Sequence, residues 1–167
     1  IGLEEEARSH TVTVFEWINA GAAHTSLGEL AHFEISWGFL LDPLSSVMVL
    51  VVSGIGFLIH VYSTGYMAHE DGYYRFFAYL NLFMFSMLTL ILGSNYLMLF
   101  VGWEGVGLCS YLLIGFFITK RSAGDAAKKA FVVNRVGDWG FSIGIMLIFF
   151  TFGTLEFTGV NEAIHAG

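Results

Sequence analysis

Charged residues are scarce in this chain of 167 residues: they make up 13% of the sequence, whereas hydrophobic residues make up 56%. A soluble domain has about 25% charged residues, so the composition argues against a soluble globular protein. Basic residues are fewer still, with seven against 14 acids. This balance argues against nucleic acid as a partner, because phosphates are neutralised by a basic face. The composition therefore indicates a membrane protein that contacts the lipid bilayer.

Cysteine and proline are nearly absent. The lone cysteine, Cys109, excludes a disulfide framework and a cysteine-based zinc or iron–sulfur site, and the single proline excludes a proline-rich linker. His10, His24 and His32 lack the i,i+4 spacing of metal ligands on a helix, so we expect no metal site. No phosphate-binding glycine loop, dinucleotide fingerprint or Ser/His/Asp set precedes a suitable helix, so we expect this chain to bind no cofactor.

Long uncharged runs predict four membrane-spanning helices. The 25 residues at 43–67 carry no formal charge, and the 44 residues at 76–119 carry only Glu104. A bilayer core needs about 20 apolar residues in a helix, so the second run suffices for two spans, with a turn at Gly93-Ser94-Asn95. We predict a four-helix membrane segment at 43–157, with spans at about 43–67, 74–92, 95–118 and 126–155, and a polar tail at 158–167.

Basic residues concentrate in two connections between the predicted spans. Arg75 lies between the first and second spans, and 120–129, between the third and fourth, holds four of the seven basic residues. Both connections lie on one side of the membrane if the spans alternate, and the positive-inside tendency predicts that this side is cytoplasmic or equivalent. The acidic segment at 1–42 then lies outside. The chain begins with Ile1 and shows no signal-peptide pattern, so we expect an internal fragment or a trimmed chain.

Before the first span, two stretches alternate between apolar and polar residues. They lie at 11–17 and 32–37, and residues 21–28 could turn between them. Since an isolated hairpin is marginal in water, it would have to rest on the membrane domain or on a neighbouring chain. An irregular linker is the alternative. The predicted fold class is an all-α membrane protein of about four transmembrane helices, preceded by a small extramembrane β-hairpin.

Three charged residues fall where the bilayer core is expected. Glu104 lies nine residues after Asn95, about 13 Å into its helix, and Arg135 lies ten residues after Asp125, about 15 Å into the next helix. Because these two helices run in opposite directions, Glu104, Arg135 and Asp138 are expected in one layer. A carboxylate in the middle of a membrane is costly unless it is paired, hydrated or protonated, and it is usually part of an ion path.

These charges provide a mechanism for proton transfer without a cofactor. An apolar surrounding raises the proton affinity of a carboxylate and a nearby cation lowers it, so the movement of a base would switch proton uptake and release. Arg135 and Asp138 share a helix face, where Asn134 could donate a hydrogen bond to Asp138; a pair that only fixes helix packing is the alternative. Small residues around Glu104 allow close helix packing or leave room for water. His60, near the predicted cytoplasmic interface, is a weaker candidate for a proton relay, and a plain interfacial histidine is the alternative.

Several motifs resemble a known family. Residues 101–116 read Val-Gly-Trp-Glu-Gly-Val-Gly-Leu-Cys-Ser-Tyr-Leu-Leu-Ile-Gly-Phe, and shorter matches lie at 56–60, 74–79 and 129–138. Together they closely resemble the antiporter-like membrane subunits of respiratory complex I, the proton-translocating NADH:quinone oxidoreductase, that are called subunit L in bacteria and chain 5 in mitochondria. The resemblance covers about residues 39–157, and Asn134 stands where the family has threonine.

The resemblance implies roles for particular residues. Glu104 matches the family's intramembrane glutamate and Asp138 the acid on the following helix, so that Arg135 and Asp138 would tune or relay proton transfer. It also implies that NADH, FMN, iron–sulfur clusters and quinone belong to other subunits of the complex. The implied partners are the other membrane subunits, chiefly the adjacent antiporter-like one, in a bacterial or mitochondrial inner membrane. In the family, two helices precede this segment, and a broken helix with a partner lysine follows it.

Two alternatives remain open. A subunit of a multi-subunit cation/proton antiporter or of a membrane-bound hydrogenase shares the Trp-Glu core, although the flank Gly-Val-Gly-Leu-Cys-Ser-Tyr favours complex I. A non-conducting scaffold would use the Arg135–Asp138 pair to lock two helices together and would keep Glu104 protonated.

Overall fold

The computed structural model describes residues 9–25, 28 and 30–166; the acids at positions 4–6 and 29 lie outside this part. Within it, a two-stranded antiparallel sheet precedes a series of helices, of which four are long and apolar enough to cross a bilayer. The predicted fold class is confirmed. The elements are β1 His10–His24, β2 Leu30–Leu41, α1 Pro43–Tyr66, α2 Tyr73–Leu92, α3 Tyr96–Ile114, α4 Arg121–Phe152 and α5 Phe157–Ala166.

The hairpin is longer than the sequence predicts. Its strands pair from His10 opposite Leu41 to His24 opposite Leu30, and β1 contains three register shifts. Gly21, expected in the turn, lies inside one of these shifts with φ of 83°, a left-handed conformation that glycine adopts at low cost. The strand therefore bends at Gly21 without ending there, and its pairing continues to His24.

The hairpin rests on α4 and on the segment that follows it. Ile35 of β2 is 2% exposed and packs with Ile145, Phe149 and Leu155. The ring of Phe33 meets that of Phe149 edge-on, with 4.8 Å between the ring centroids. This apolar contact gives the hairpin the support that an isolated two-stranded sheet lacks.

Asn95 ties the turn between α2 and α3 to its surroundings. Its side chain is buried, its oxygen accepts a hydrogen bond from the N–H of Met98 at 2.8 Å, and its nitrogen donates to the carbonyl of Ser36 at 2.8 Å. The N–H of Tyr96 donates to the carbonyl of Leu155 at 3.0 Å. One asparagine thus caps α3 and holds it to the hairpin, which fixes where α3 begins.

The last two helices depart from the predicted bounds. α4 begins at Arg121, not near Ala126, and has 32 residues, a length of about 48 Å. Because a bilayer core is only about 30 Å thick, a helix of this length can keep its charged first turns outside the core. The stretch predicted as a polar tail, 158–167, is largely α5, in which Val160 is buried and the ring of Phe157 packs edge-on against Tyr96.

Two glycines allow α3 to pack closely against α2. A Cβ atom at Gly102 would lie 2.5 Å from the backbone nitrogen of Leu90, and one at Gly105 would lie 2.5 Å from the Oγ of Ser86. Non-bonded atoms prefer separations of about 3.5 Å or more, so neither site has space for a side chain. At Gly102 and Gly105 the small residues therefore serve helix packing, and they do not open a water cavity.

Candidate functional site

Three charged side chains from the central parts of α3 and α4 meet in the structure. Glu104 lies on α3, and Arg135 and Asp138 lie one turn apart on the neighbouring α4. The Nη1 of Arg135 forms an ion pair with the Oε2 of Glu104 and lies 3.5 Å from the Oδ2 of Asp138. One guanidinium therefore contacts two carboxylates. The sequence predicts these three residues at one depth in the membrane, and in the structure their side chains are in contact. We call Glu104, Arg135 and Asp138 the charged triad.

The members of the charged triad differ in exposure. The side chain of Asp138 is 9% exposed, that of Glu104 is 24% exposed and that of Arg135 is 42% exposed. The guanidinium of Arg135 also lies over the ring of Phe131, 4.5 Å from the ring centroid. Asp138 is thus the innermost member, and Arg135 lies at the edge with one side open to a further group.

Trp103 completes the site, although the sequence did not point to a role for it. Its indole Nε1 donates a hydrogen bond to the Oδ1 of Asp138 at 2.9 Å. The sequence suggests Asn134 as the donor. In the structure, however, the side chain of Asn134 lies next to Gly107: its nitrogen is 3.6 Å from the position that a Cβ atom on Gly107 would take. The expectation for Asn134 is therefore corrected. The available signal was the indole N–H itself, which needs an acceptor in an apolar span.

The two carboxylates are held to different degrees. Both oxygens of Asp138 have partners, since Oδ1 accepts from Trp103 and Oδ2 faces Arg135. The backbone carbonyl of Asp138 also accepts from the hydroxyl of Ser142 at 2.8 Å. Glu104 is bound through Oε2, and no side chain in the described part of the chain donates to its Oε1. Asp138 therefore has a partner on each oxygen, whereas Glu104 has one on Oε2 alone among the described side chains.

His60 lies apart from the charged triad. On α1, its Nδ1 is 2.7 Å from the carbonyl of Gly56, so this nitrogen carries the proton and donates. Its Nε2 is buried and has no hydrogen-bond partner among the described residues. The ring lies 6.1 Å from that of Phe77 on α2. Within the residues that the structure covers, no hydrogen bond or ion pair joins His60 to Glu104, Arg135 or Asp138.

Three other histidines are spread along the hairpin. His10 is paired with Leu41, His24 with Leu30 and His32 with Ala22. Over residues 9–25, 28 and 30–166, no three side chains of His, Cys, Asp or Glu come close enough together to hold a metal ion.

Two family models match the chain in consecutive stretches. The model described as the N-terminus of chain 5 of NADH-ubiquinone oxidoreductase (complex I) matches residues 27–77. The model described as the transmembrane part of NADH:quinone oxidoreductase and the Mrp antiporter matches residues 93–167. His60 falls within the first stretch, and the charged triad falls within the second.

Curated relatives agree with this assignment. NADH-quinone oxidoreductase subunit L of Mycobacterium tuberculosis is 53% identical over 153 residues, which are 92% of this chain and 23% of the relative. Subunit L of Escherichia coli K12 is 54% identical over 134 residues, which are 80% of this chain and 22% of the relative. NADH-ubiquinone oxidoreductase chain 5 of Rhizopus stolonifer is 56% identical over 126 residues, 75% of this chain and 19% of the relative.

The chain therefore spans less than a quarter of the length of these relatives, but most of its own length matches them. The two family models follow one another in the order of the chain: β2 and α1 lie within the first stretch, and α3, α4 and the Trp-Glu-Gly motif lie within the second. The chain belongs to the family of complex I membrane subunits that comprises NADH-quinone oxidoreductase subunit L and NADH-ubiquinone oxidoreductase chain 5.

Proposed function

We propose that this chain is part of the antiporter-like membrane subunit of complex I and contributes Glu104 and the polar helix α4 to proton translocation. NADH oxidation and quinone reduction, which drive the translocation, take place in other subunits that hold NADH, FMN, iron–sulfur clusters and quinone. The observation that supports this function best is the guanidinium of Arg135, which contacts two carboxylates in the middle of apolar helices. Ionisable groups at that depth are costly and mark ion pathways.

The net charge of the charged triad supplies a reason for proton uptake. With both carboxylates ionised, the two negative charges exceed the single positive charge of Arg135 by one. A guanidinium has no acceptor site for a further proton, so a proton that restores charge balance in an apolar layer would bind one of the carboxylates. The position of the guanidinium then decides which carboxylate stays ionised, because each is stabilised as an anion only while the cation is close.

Glu104 is the proton carrier in this scheme. Asp138 is held on both oxygens, whereas Glu104 has Arg135 as its one partner among the described side chains. A cation next to a carboxylate stabilises its ionised form, and this stabilisation is lost when the cation moves away. Movement of Arg135 towards Asp138 would therefore favour proton uptake by Glu104, and its return would favour release.

The exposure of Arg135 suggests what could move it between Glu104 and Asp138. The side chain is 42% exposed in the described part of the chain, so a further cation could approach the charged triad from that side. The resemblance to the family implies a lysine on a broken helix that follows this segment. Such a lysine would compete with Arg135 for Glu104, which would couple proton release by Glu104 to charge shifts in neighbouring helices.

His60 would act as a relay near the cytoplasmic end of α1. Its Nδ1 donates to the carbonyl of Gly56, which leaves the buried and unpartnered Nε2 as the proton acceptor. No hydrogen bond or ion pair joins His60 to the charged triad in the described part of the chain, so a relay role requires water or further side chains between them. Replacing His60 by glutamine should then slow proton pumping without changing the charged triad.

The proposed partners are the other membrane subunits of complex I, chiefly the adjacent antiporter-like subunit, in a bacterial or mitochondrial inner membrane. Support comes from the relatives, which are named as subunits of NADH-quinone and NADH-ubiquinone oxidoreductases. Exposed apolar side chains along the spanning helices, among them Leu50 and Phe57 on α1, fit contact with lipid or with neighbouring subunits.

A multi-subunit cation/proton antiporter is the second candidate, because the description of the family model over residues 93–167 includes the Mrp antiporter. The model over residues 27–77 favours complex I, since its description refers to chain 5 of that complex alone. Transport measurements distinguish the two. Sodium-dependent exchange in vesicles, with no dependence on quinone, would favour the antiporter.

The experiment for the leading proposal is Glu104→Gln in the intact complex, with Glu70→Gln as the matched control. Glu70 lies exposed in the connection between α1 and α2, outside the charged triad. We expect Glu104→Gln to lower the number of protons pumped per electron, while Glu70→Gln leaves it unchanged. An unchanged ratio and turnover in Glu104→Gln would show that Glu104 has no part in translocation.

A further inference from the structure

A cavity of about 340 Å³ lies at the basic end of the helical segment, where α2 begins, α3 ends and α4 begins. We call it the basic pocket. Arg75 of α2 and Lys128 of α4 both line it, and none of the acids that the structure describes does. Tyr79 and Tyr111 add two phenol rings to its wall. Two cations that face one cavity repel each other, so the arrangement favours an anion between them.

Arg75 is held in position before any ligand binds. Its Nη2 donates to the carbonyl of Phe116 at 3.3 Å, and its guanidinium lies 4.9 Å from the centroid of the Phe116 ring. These contacts occupy one edge and one face of the guanidinium and leave its other N–H groups available. Lys128 is exposed and makes no hydrogen bond or ion pair with another described residue, so its ammonium group is also available.

The position of the basic pocket selects the kind of anion. Its walls come from the ends of three helices that are long and apolar enough to span a bilayer, so it lies near the level of the lipid headgroups. Most of the remaining lining is apolar, as an acyl chain beside the headgroup requires. Basic pockets between spanning helices on the cytoplasmic side are sites for anionic lipid headgroups.

We propose that the basic pocket binds the phosphate of an anionic phospholipid between Arg75 and Lys128. The site is separate from the proposed proton transfer, because no member of the charged triad lines it. The single negative charge of the lipid phosphate would offset part of the repulsion between the two cations and hold the start of α4 against the end of α3. The lipid thereby stabilises the end of the bundle opposite the hairpin.

The test uses the intact protein, purified with its native partners and loaded with phosphatidylglycerol. After exchange into phosphatidylcholine micelles, native mass spectrometry counts the phosphatidylglycerol molecules retained per copy. We expect Lys128→Gln to reduce retention about fivefold, the effect of one cation near a lipid phosphate. Lys129→Gln is the control, since it removes the same charge from the next position, which does not line the pocket.

Arg75→Gln should reduce the retention of phosphatidylglycerol to a similar extent. If this variant does not fold because it loses the contact with Phe116, the comparison of Lys128→Gln with Lys129→Gln alone tests the proposal. Equal retention in Lys128→Gln and Lys129→Gln overturns the proposal. So does a wild-type protein that retains no phosphatidylglycerol, as it would if another protein segment filled the cavity. Binding of inorganic phosphate without lipid, with displacement of phosphatidylglycerol by millimolar phosphate, would show a free-anion site and overturn the assignment to a lipid.

Discussion

Replacing Gly102 by alanine tests whether the close approach of α2 and α3 positions Glu104. The added Cβ would lie 2.5 Å from the backbone nitrogen of Leu90 and 2.6 Å from its Cα. Because these are backbone atoms, no side-chain rotation relieves the overlap. A normal separation of about 3.5 Å then requires the two helices to move apart by about 1 Å.

The matched control is Gly144→Ala on α4, where an added Cβ meets nothing within 4 Å among the described residues. Both substitutions gain about 1 kcal/mol of helix propensity, so the difference between them isolates the overlap at Gly102. Overpacking costs about 1–3 kcal/mol, and we expect Gly102→Ala to be about 2 kcal/mol less stable than Gly144→Ala. A displacement of α3 by about 1 Å also moves Glu104, which is enough to impair a catalytic geometry severely.

The assay is thermal unfolding of the intact protein in detergent, followed by tryptophan fluorescence, together with proton pumping by the reconstituted complex. We expect Gly102→Ala to unfold at a lower temperature and to pump fewer protons per electron than Gly144→Ala. Equal unfolding temperatures and equal pumping in the two variants would refute the reasoning that this glycine sets the position of the site.

Three further predictions concern the site and its support. Arg135→Gln should destabilise the protein by about 2 kcal/mol in thermal unfolding, because it leaves two carboxylates without their cation. Adding Glu104→Gln to this variant should recover part of the lost stability. If the stability losses of the two single variants simply add in the double variant, the ion pair is contradicted. Trp103→Phe should cost about 1–3 kcal/mol in the same assay, because it removes the hydrogen bond to a carboxylate. Trp139→Phe should cost much less, since the indole of Trp139 makes no hydrogen bond within the described part of the chain. Similar losses in the two variants would contradict this role of Trp103. Asn95→Ala should lower the free energy of unfolding by about 1 kcal/mol or more and speed proteolysis of the hairpin, because it removes the cap of α3 and the hydrogen bond to the hairpin. An unchanged rate of proteolysis would show that Asn95 does not hold the hairpin to α3.

The sequence could predict those features that depend on distance along one helix. The apolar runs indicate four spans, because spanning helices need length and apolarity, which are local properties. The shared layer of Glu104, Arg135 and Asp138 follows from the helical rise and from the alternation of helix direction. The resemblance added what the residue pattern could not supply, namely the expectation of a complex I subunit.

The sequence could not predict features that depend on how the helices rotate against each other. Trp103 reaches Asp138 because the facing sides of α3 and α4 bring an indole N–H to a carboxylate 35 positions away. Asn134 is closer in the chain, but its side chain occupies the space beside Gly107 instead. The bounds of α4 and α5 also differ from the predicted ones. The charged stretch before residue 126 continues α4 beyond the bilayer. The polar segment after α4 forms α5, because Val160 is buried and the ring of Phe157 packs against Tyr96.

The central claim is that Glu104 gains and loses a proton during turnover. Infrared difference spectroscopy of the intact complex, with and without NADH and quinone, measures this change directly through the C=O stretch of a protonated carboxyl group. We predict a turnover-dependent carboxyl band that is present in the wild type and in Glu70→Gln but absent in Glu104→Gln. A wild type without such a band, or a band that persists in Glu104→Gln, would contradict proton transfer by Glu104 and favour a scaffold in which its protonation never changes.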